Sequence, residues 1–542
     1  MGRASAIPES VFRLAQRLAI ICASIQKPEG LSIHEWQKSS CWPRRCLAFW
    51  MILCCVPNLV LSAIADPANG RSASTFIGLE KVGSAIVDAP SGNGNGSFSY
   101  SGSPLLNTLV PPNPSTPVSA DFFGMTIHHT ATQFPPFPLS IFRFWDVASW
   151  STTEPASGQF VWNRLDDTTA RLRKSGVTDF IFTFGSVPGW ASSSPNDPCH
   201  GGGLPGTCAA PDMNAFDDFA TQLVRRYCGT IKYYETWNEA NSTGYWKGSN
   251  QQLLTIAQHL SRIAKDPSNC GCSNAACGPN GGANPNRVLL PSISRINDAT
   301  LKWLDSYLST AGARYSYADI VTFHGYGSPT DAEHIATQVQ SLAPILSRHG
   351  LSHLPLWNTE GNWGAVPTVG QQQASWLMRY HMVQVAVGVS RLVWYAFDNC
   401  GWGILWEAPW CKDPQMPVGQ LTDPGRAYGV IEEWLVGANL TRCMQYQNGL
   451  WACELQRPGG YDAWVVWSST NADVSVPVPK NSGLTVYRDW QDKVNVLSTA
   501  ITVDQMPVLL ETQDLHNLPL PPSKLKKQSR VRRVKRVNQQ VA

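Results

Sequence analysis

Two short stretches of this chain set a glutamate among tryptophan and asparagine. One is Thr236-Trp237-Asn238-Glu239-Ala240-Asn241, the other Trp357-Asn358-Thr359-Glu360-Gly361-Asn362-Trp363. Paired carboxyl groups suit the cleavage of a glycosidic bond. One donates a proton to the leaving oxygen, and the other attacks the anomeric carbon or activates water. Asn238, next to the first glutamate, can hydrogen-bond a sugar hydroxyl, most usefully the one beside the reacting carbon. Two other carboxylates, Asp146 and Asp398, also fall near the ends of apolar runs and are the rivals for these roles.

The elements that must carry these residues alternate. Eight apolar runs read as strands: Phe122–His128, Ile141–Val147, Asp179–Gly185, Ile231–Trp237, Arg287–Ile293, Asp319–Gly325, Leu354–Thr359 and Arg391–Phe397. Helical periodicity falls between them, as in Met213–Cys228, where Phe216, Phe219, Ala220, Leu223, Val224 and Tyr227 share a face and Gly229 ends it. Ile335, Val339, Leu342 and Leu346 mark another such face. Repeated strand–helix units predict an α/β chain, a (β/α)8 barrel at residues 120–429. An open doubly wound sheet is the runner-up, but no glycine-rich phosphate turn follows an early strand. In a barrel, function gathers at the C-terminal ends of the strands. Glu239 lies just past the fourth run and Glu360 just past the seventh, so both belong to one rim. Facing positions there can hold carboxyl groups roughly 5–5.5 Å apart, the spacing for direct attack and retention of configuration.

Trp-Asn-Glu-Ala-Asn at 237–241 resembles the Trp-Asn-Glu-Pro-Asn acid/base motif of clan A glycoside hydrolases, with Ala240 in place of the proline. A glutamate at the end of strand seven, as at Glu360, is the clan's nucleophile. Together with a terminal sandwich ending in Pro507-Val-Leu-Leu-Glu511, the chain is most similar to family 39, the β-xylosidases, α-L-iduronidases and relatives. The resemblance spans about Asp121 to Glu511, and only the two glutamate motifs in it are specific. It implies that Glu239 is acid/base, Glu360 nucleophile and Asn238 a ligand of the 2-hydroxyl. It also gives Arg143, a cation inside the apolar Phe142-Arg143-Phe144-Trp145, the task of holding the nucleophile's charge; a purely structural ion pair is the competing reading. His324 and Tyr326, ending strand six, would bond the nucleophile or the sugar. Trp394 on strand eight would floor the subsite of the reacting sugar, and Trp190, Trp402 and Trp406 in rim loops would line others, unless they only pack. The chemistry requires neither a metal nor an organic cofactor.

Composition agrees with a large core and an uncharged partner. Of 542 residues, 43% are hydrophobic and only 15% charged, with a net charge of +3. Eight of the Lys and Arg residues lie between Ser523 and Arg536, so the remainder is mildly acidic and does not suit nucleic acid. The 22 tryptophans exceed what a core needs and suit a carbohydrate partner, through aromatic faces against sugar C–H faces. Arg44-Arg45, the apolar run Leu47 to Ile64 and Ala63-Ile64-Ala65 have the order of a secretory signal, read as cleaved before Asp66; uncleaved, the segment would be a membrane anchor. Residues 1–65 are thus leader, and a secreted, extracellular or periplasmic location follows. The 15 cysteines leave ten after Asp66, grouped as Cys199/Cys208, Cys400/Cys411, Cys443/Cys453, and Cys228 with Cys270, Cys272 and Cys277. This predicts disulfides rather than a zinc site, because no histidine or CxxC pair accompanies them.

Residues 66–119, rich in Ser, Gly and Pro, read as a linker or lead-in. Residues 430–515 read as an antiparallel β-sandwich from the short runs Leu450–Gln456, Ala463–Ser468, Leu484–Asp489 and Val508–Glu511, and 516–542 as a disordered basic tail. The expected activity is that of a retaining glycosidase acting on a β-linked glycan or glycoside. A carbohydrate-binding barrel without catalysis and a transglycosylase on the same scaffold are the alternatives. Nothing in the sequence fixes an oligomeric state.

Overall fold

A computed structural model describes residues 100–518, except 130–133, 200–203, 271–283, 313, 367–369, 410 and 412–418. Residues 1–65, read as a leader, the part of the stretch 66–119 before residue 100, Cys272, Cys277 and the basic tail after residue 518 lie outside the described residues. Among the described residues, no helix is long and apolar enough to cross a membrane.

Strand β1 (Leu105–Leu109) belongs to a second sheet. The next eight form one parallel sheet: β2 (Phe123–Met125), β3 (Ile141–Phe144), β4 (Asp179–Thr183), β5 (Tyr233–Glu235), β6 (Arg287–Leu289), β7 (Val321–His324), β8 (Leu356–Gly361) and β9 (Val389–Trp394). Their order is β6-β5-β4-β3-β2-β9-β8-β7. A parallel bridge between Leu289 and Ile320 brings the two ends together, and the Leu290 N–H donates to Ile320 O at 2.9 Å. The sheet is therefore a nearly closed barrel of the expected class. Helices fill the crossovers: α1 (Trp150–Thr153) and α2 (Asn163–Lys174), α3 (Met213–Arg226), α4 (Asn250–Lys265), α5 (Asp298–Ser309), α6 (His334–Gln340) and α7 (Ala343–Arg348), α8 (Gln371–Ala386), and α9 (Asp423–Leu435). The face expected over Ile335 to Leu346 is split into α6 and α7. Pro344 in the first turn of α7 has no N–H with which to continue α6.

Strand parity sorts the side chains. Ile141, Ile181, Leu289, Ile320, Trp357 and Val393 point inward and form an apolar plug. Their even-numbered neighbours Phe142, Phe144, Phe180, Phe182, Leu392 and Trp394 point outward and join the core shared with the helices. One step along the same inward rows stand Arg143, Thr183, Glu235 and Thr359, all wholly buried. A polar layer thus lies on the apolar one, toward the C-terminal mouth.

The second sheet is antiparallel, in the order β1-β10-β11-β12-β17-β14-β15. It comprises β10 (Asn439–Tyr446), β11 (Leu450–Arg457), β12 (Tyr461–Ser468), β14 (Val486–Arg488), β15 (Val494–Val496) and β17 (Val508–Glu511), with β1 as an edge. One face, with Trp451, Leu455, Val465 and Trp467, joins the barrel's core. The other, with Met444, Ala452, Trp464, Val466 and Leu510, packs on Val474, Val476 and Val503 of the two-stranded sheet β13 (Val474–Pro477) and β16 (Ala500–Val503). This is a sandwich, and it includes Leu105–Leu109 from the stretch read as a lead-in. The link to the barrel is polar as well as apolar: Glu333 accepts from Trp467 Nε1 at 2.6 Å and from Arg379 of α8 at 3.1 Å.

The sulfurs of Cys199–Cys208, Cys228–Cys270, Cys400–Cys411 and Cys443–Cys453 are at bonding distance. Among the described residues nine tryptophans are wholly buried, and these serve the two cores rather than a sugar surface.

Candidate active site

The fourth and seventh barrel strands end side by side in function though not in sequence. Glu239 follows β5, and its backbone is in the left-handed region with φ of +44°. A non-glycine residue held there carries strain, which clusters where geometry is over-determined. Two contacts fix the turn. The Ser292 hydroxyl accepts from the Glu239 N–H at 3.1 Å, and the Ala240 N–H donates to Ser292 O at 3.1 Å. Asn241 clamps the next loop by accepting from the Ser294 N–H at 2.8 Å. Trp237 is wholly buried, with its Nε1 donating to Tyr245 O at 2.9 Å and its ring on Trp246. It anchors the turn and offers no face to a ligand.

Glu360 sits in β8, where the pairing with β7 and with β9 is irregular. Asn358 pins this stretch, accepting from the Gly325 N–H at 3.0 Å and donating to Tyr380 Oη at 2.9 Å and Gln384 Oε1 at 3.0 Å. Gly325 and Gly361 permit that close packing, since a Cβ at either would run into Tyr380 Oη and the Asn358 amide.

One oxygen each of Glu239 and Glu360 and a ring nitrogen of His324 all lie within 4.8 Å of one another. His324 Nδ1 is 2.8 Å from Glu239 Oε1 and 3.6 Å from Glu360 Oε2. Tyr326 donates its hydroxyl to Glu360 Oε1. Arg143 Nη1 donates to Glu360 Oε2 at 2.8 Å, and Nη2 donates to Asn238 Oδ1 at 2.7 Å. An arginine has no acceptor, so Asn238 must turn its oxygen toward it and keep its Nδ2 for another partner. Glu239, Glu360, Asn238, Arg143, His324 and Tyr326 are therefore brought together. Arg143 pairs with Glu235 at 2.6 Å as well as with Glu360 at 2.8 Å.

Electrostatics follow from burial. Burial pushes the Glu360 carboxyl up, with Glu239 adding to it, while His324, Arg143 and the Tyr326 hydroxyl pull it down; the net direction is upward. Burial works against charge on His324, but Glu360 and Glu239 more than offset it and its pKa is raised. Burial also lifts the Tyr326 phenol well above its usual range, with Glu360 reinforcing the effect, so it remains a donor. Glu239, His324 and Glu360 could together surround a cation, as could Glu433, Asp492 and His516 at the surface. At the first group, the Arg143 guanidinium already brings positive charge to Glu360.

Three expectations need correction. Trp394 is wholly buried on the outer face of the barrel; its ring stacks on His381 of α8 and its Nε1 donates to Gly403 O at 2.6 Å. Parity is the reason, because position 393 points inward and 394 outward. Trp190 turns outward after β4, its ring edge-on to Trp150 and its Nε1 on Glu154 O at 3.1 Å. There it borders a shoulder depression of about 580 Å3 with Phe160, Asp218 and Gln222, and none of these partners belongs to the glutamate pair. Trp406 is buried and stacks on Phe397. Trp402, by contrast, is 38% exposed and meets the Tyr326 ring at 5.7 Å.

The rival aspartates have other partners. Asp398 accepts from the His128 and His129 N–H groups at 2.8 and 2.9 Å, stapling the loop after β2. Asp146 Oδ2 lies 3.3 Å from His128 Nε2. Sequence reasoning missed Tyr395, His128 and Glu235. Tyr395 has its ring near His128 at 5.0 Å and Tyr326 at 6.4 Å. The inward parity of Val393 was the signal for it.

No protein-family model matches the chain, and no curated protein matches it. Solved structures do share its fold. A family 39 glycoside hydrolase from the gut symbiont Bacteroides cellulosilyticus WH2 aligns with a TM-score of 0.52 at 13% identity, over 74% of this chain and 82% of that one. A family 39 β-xylosidase from Caulobacter crescentus aligns with a TM-score of 0.50 at 15% identity, over 74% of this chain and 98% of that one. The fold is thus that of the family to which the two glutamate motifs pointed.

Proposed function

We propose that this chain is a retaining glycoside hydrolase, with Glu360 as nucleophile and Glu239 as acid/base, acting on a β-linked glycan or glycoside. The observation that carries this reading is the approach of the two carboxyl groups, with oxygens within 4.8 Å at one mouth of the barrel. An inverting pair stands roughly 6.5–9.5 Å apart, to leave room for a water between carboxylate and sugar. Oxygens this near suit direct attack, the geometry of a retaining pair with carboxyl groups roughly 5–5.5 Å apart.

Glu360 attacks the anomeric carbon as the bond to the leaving oxygen breaks, and Glu239 gives that oxygen its proton. Glu239, now a carboxylate, takes a proton from water, whose oxygen displaces Glu360 and releases the sugar. Two carboxyls this close share protons as a pair. Arg143 and Tyr326 both donate to Glu360, which suits that carboxyl to carry the charge of a nucleophile and leaves the acid/base role to Glu239. Asn238, with its oxygen turned to Arg143, has an N–H pair for the sugar's 2-hydroxyl. Trp402 and Tyr395 are side chains suited to the rings of the substrate. The four disulfides support a secreted protein.

The test is a screen of aryl xylosides, glucosides and arabinosides, followed by Glu360→Ala. That variant should lose activity and regain it with azide, giving a glycosyl azide of inverted configuration. No rescue, together with an inverted product from the unaltered protein, would remove the nucleophile assignment. Binding of glycans without turnover across the panel would favour a carbohydrate-binding barrel.

A further inference from the structure

Glu235 ends β5, four residues before Glu239, and points into the barrel from the polar layer. It is wholly buried and surrounded by donors. Its Oε2 accepts from Arg143 Nε at 2.9 Å, Arg143 Nη2 at 2.6 Å and the Thr183 hydroxyl at 2.9 Å. Its Oε1 accepts from the Thr359 hydroxyl at 2.8 Å. Only a carboxylate suits four donors and no acceptor. Arg143, equally buried, thus stands between two carboxylates. Its Nε and Nη2 turn to Glu235, which leaves Nη1 aimed at Glu360 and Nη2 shared with Asn238.

We propose that Glu235 is a positioning residue of this site. It fixes the Arg143 guanidinium and takes up part of its charge, and so sets how strongly Arg143 stabilises the carboxylate of Glu360. The inference rests on reading Glu360 as nucleophile and Glu239 as acid/base. A nucleophile must be ionised, yet a full cation with no second counter-charge would bind its charge too well and blunt its attack. With Glu235 as second partner, Arg143 keeps Glu360 anionic without neutralising it. The same pair orients Asn238, so the guanidinium links the nucleophile to the residue proposed to hold the 2-hydroxyl.

Glu235→Gln tests this with little steric change. The amide oxygen can keep the Arg143 side, and the amide N–H group can donate to the Thr359 hydroxyl, which rotates to accept. Arg143 then carries an uncompensated charge beside both glutamates. Each of them becomes easier to ionise, so both limbs of the pH profile of kcat/KM should move to lower pH, by about one unit. The plateau kcat should fall about tenfold as the nucleophile weakens, by the equivalence of tenfold in rate with one unit. A merely structural Glu235 would lower the melting temperature and leave both limbs in place, which would overturn the proposal. Should Glu235→Gln fail to fold, the double variant Thr183→Val, Thr359→Val strips two neutral donors from Glu235. That strengthens the pull of Glu235 on Arg143 and should move the acid limb upward; an unmoved limb there overturns the proposal too. Azide rescue of Glu360→Ala checks the underlying reading separately. Rescue with an unmoved Glu235→Gln profile sinks this inference alone.

Discussion

Tyr326→Phe removes one hydrogen bond from Glu360 and nothing else of comparable size. The phenol donates to Oε1 of Glu360, and a hydrogen bond to the charged form lowers a carboxyl pKa. Glu360 already stands above the usual carboxylate range because of burial, with His324, Arg143 and this phenol opposing. Deleting one of the opposing groups therefore raises it further. A hydrogen bond to a charged group contributes about 1.5–3 kcal/mol. Tyr326 lies at the mouth and is half-buried, so the lower end applies, and water can replace part of the loss. At 1.36 kcal/mol per unit, the shift is about one unit. The assay is kcat/KM against pH with an aryl glycoside, where the acid limb reports ionisation of the nucleophile in the free protein. Activity present above that limb should now be lost sooner as the solution is acidified, about tenfold at a pH inside the moved limb. The basic limb, which reports Glu239, should move less. An acid limb that stays, or moves to lower pH, would refute the assignment of Tyr326 and the order of charges behind it. Glu235→Gln moves the same limb the other way, so the two variants control for each other.

The remaining predictions separate ligand contacts from packing. Trp402→Ala should raise KM up to about tenfold, the equivalent of ~1.4 kcal/mol for an aromatic contact, with the melting temperature almost unchanged. Trp394→Phe should do the reverse, costing about 1–3 kcal/mol in denaturant midpoint through its lost Gly403 hydrogen bond and His381 stacking while KM stays put; a KM effect there would restore Trp394 to the sugar site. Replacing Cys228 and Cys270 by serine opens a loop with a sequence separation of 42 and should cost about 4 kcal/mol by loop-closure entropy, read from urea unfolding, whereas no change would mean the pair is not joined.

How much of this was legible depended on which physical signal each residue leaves. Barrel strands buried on both faces read as short apolar runs, and all eight were placed, though seven of the expected C-terminal ends ran on into the rim loops and the run at Leu354–Thr359 stopped two residues short. The pairing stops there because the chain turns outward to build the mouth. Arg143 announced itself as a cation between phenylalanines. Glu235 did not, because Tyr234-Glu235-Thr236 has no apolar frame and its meaning depends on three other strands. Trp394 and Tyr395 show the sharper failure. In a strand a shift of one residue exchanges core for lumen, and the sequence offered two adjacent aromatics with no marker of register. β1 was hidden for another reason. Leu105, Leu106 and most of the strand are exposed at a sheet edge, so it lacks the buried alternation that identifies a strand.

The barrel carries charged clusters at both mouths, and their bookkeeping differs. At the N-terminal end, Arg391 pairs with Asp179 at 2.8 Å and lies 3.8 Å from Asp121, while Lys232 also meets Asp179. Two aspartates there face two permanent cations, so the group is complete without a proton and asks only to hold the strands in place. At the C-terminal end, among the described residues, the ion pairs of Glu235, Glu239 and Glu360 include one permanent cation, Arg143. Three buried or half-buried carboxylates cannot all stay ionised around one guanidinium, because each uncompensated charge removed from water costs several kcal/mol. Glu360 and His324 accordingly both hold protons more readily than they ordinarily would. On the proposed reading, Glu239 gives a proton to the leaving oxygen and takes one back from water at this mouth, whereas the N-terminal mouth has its charges matched.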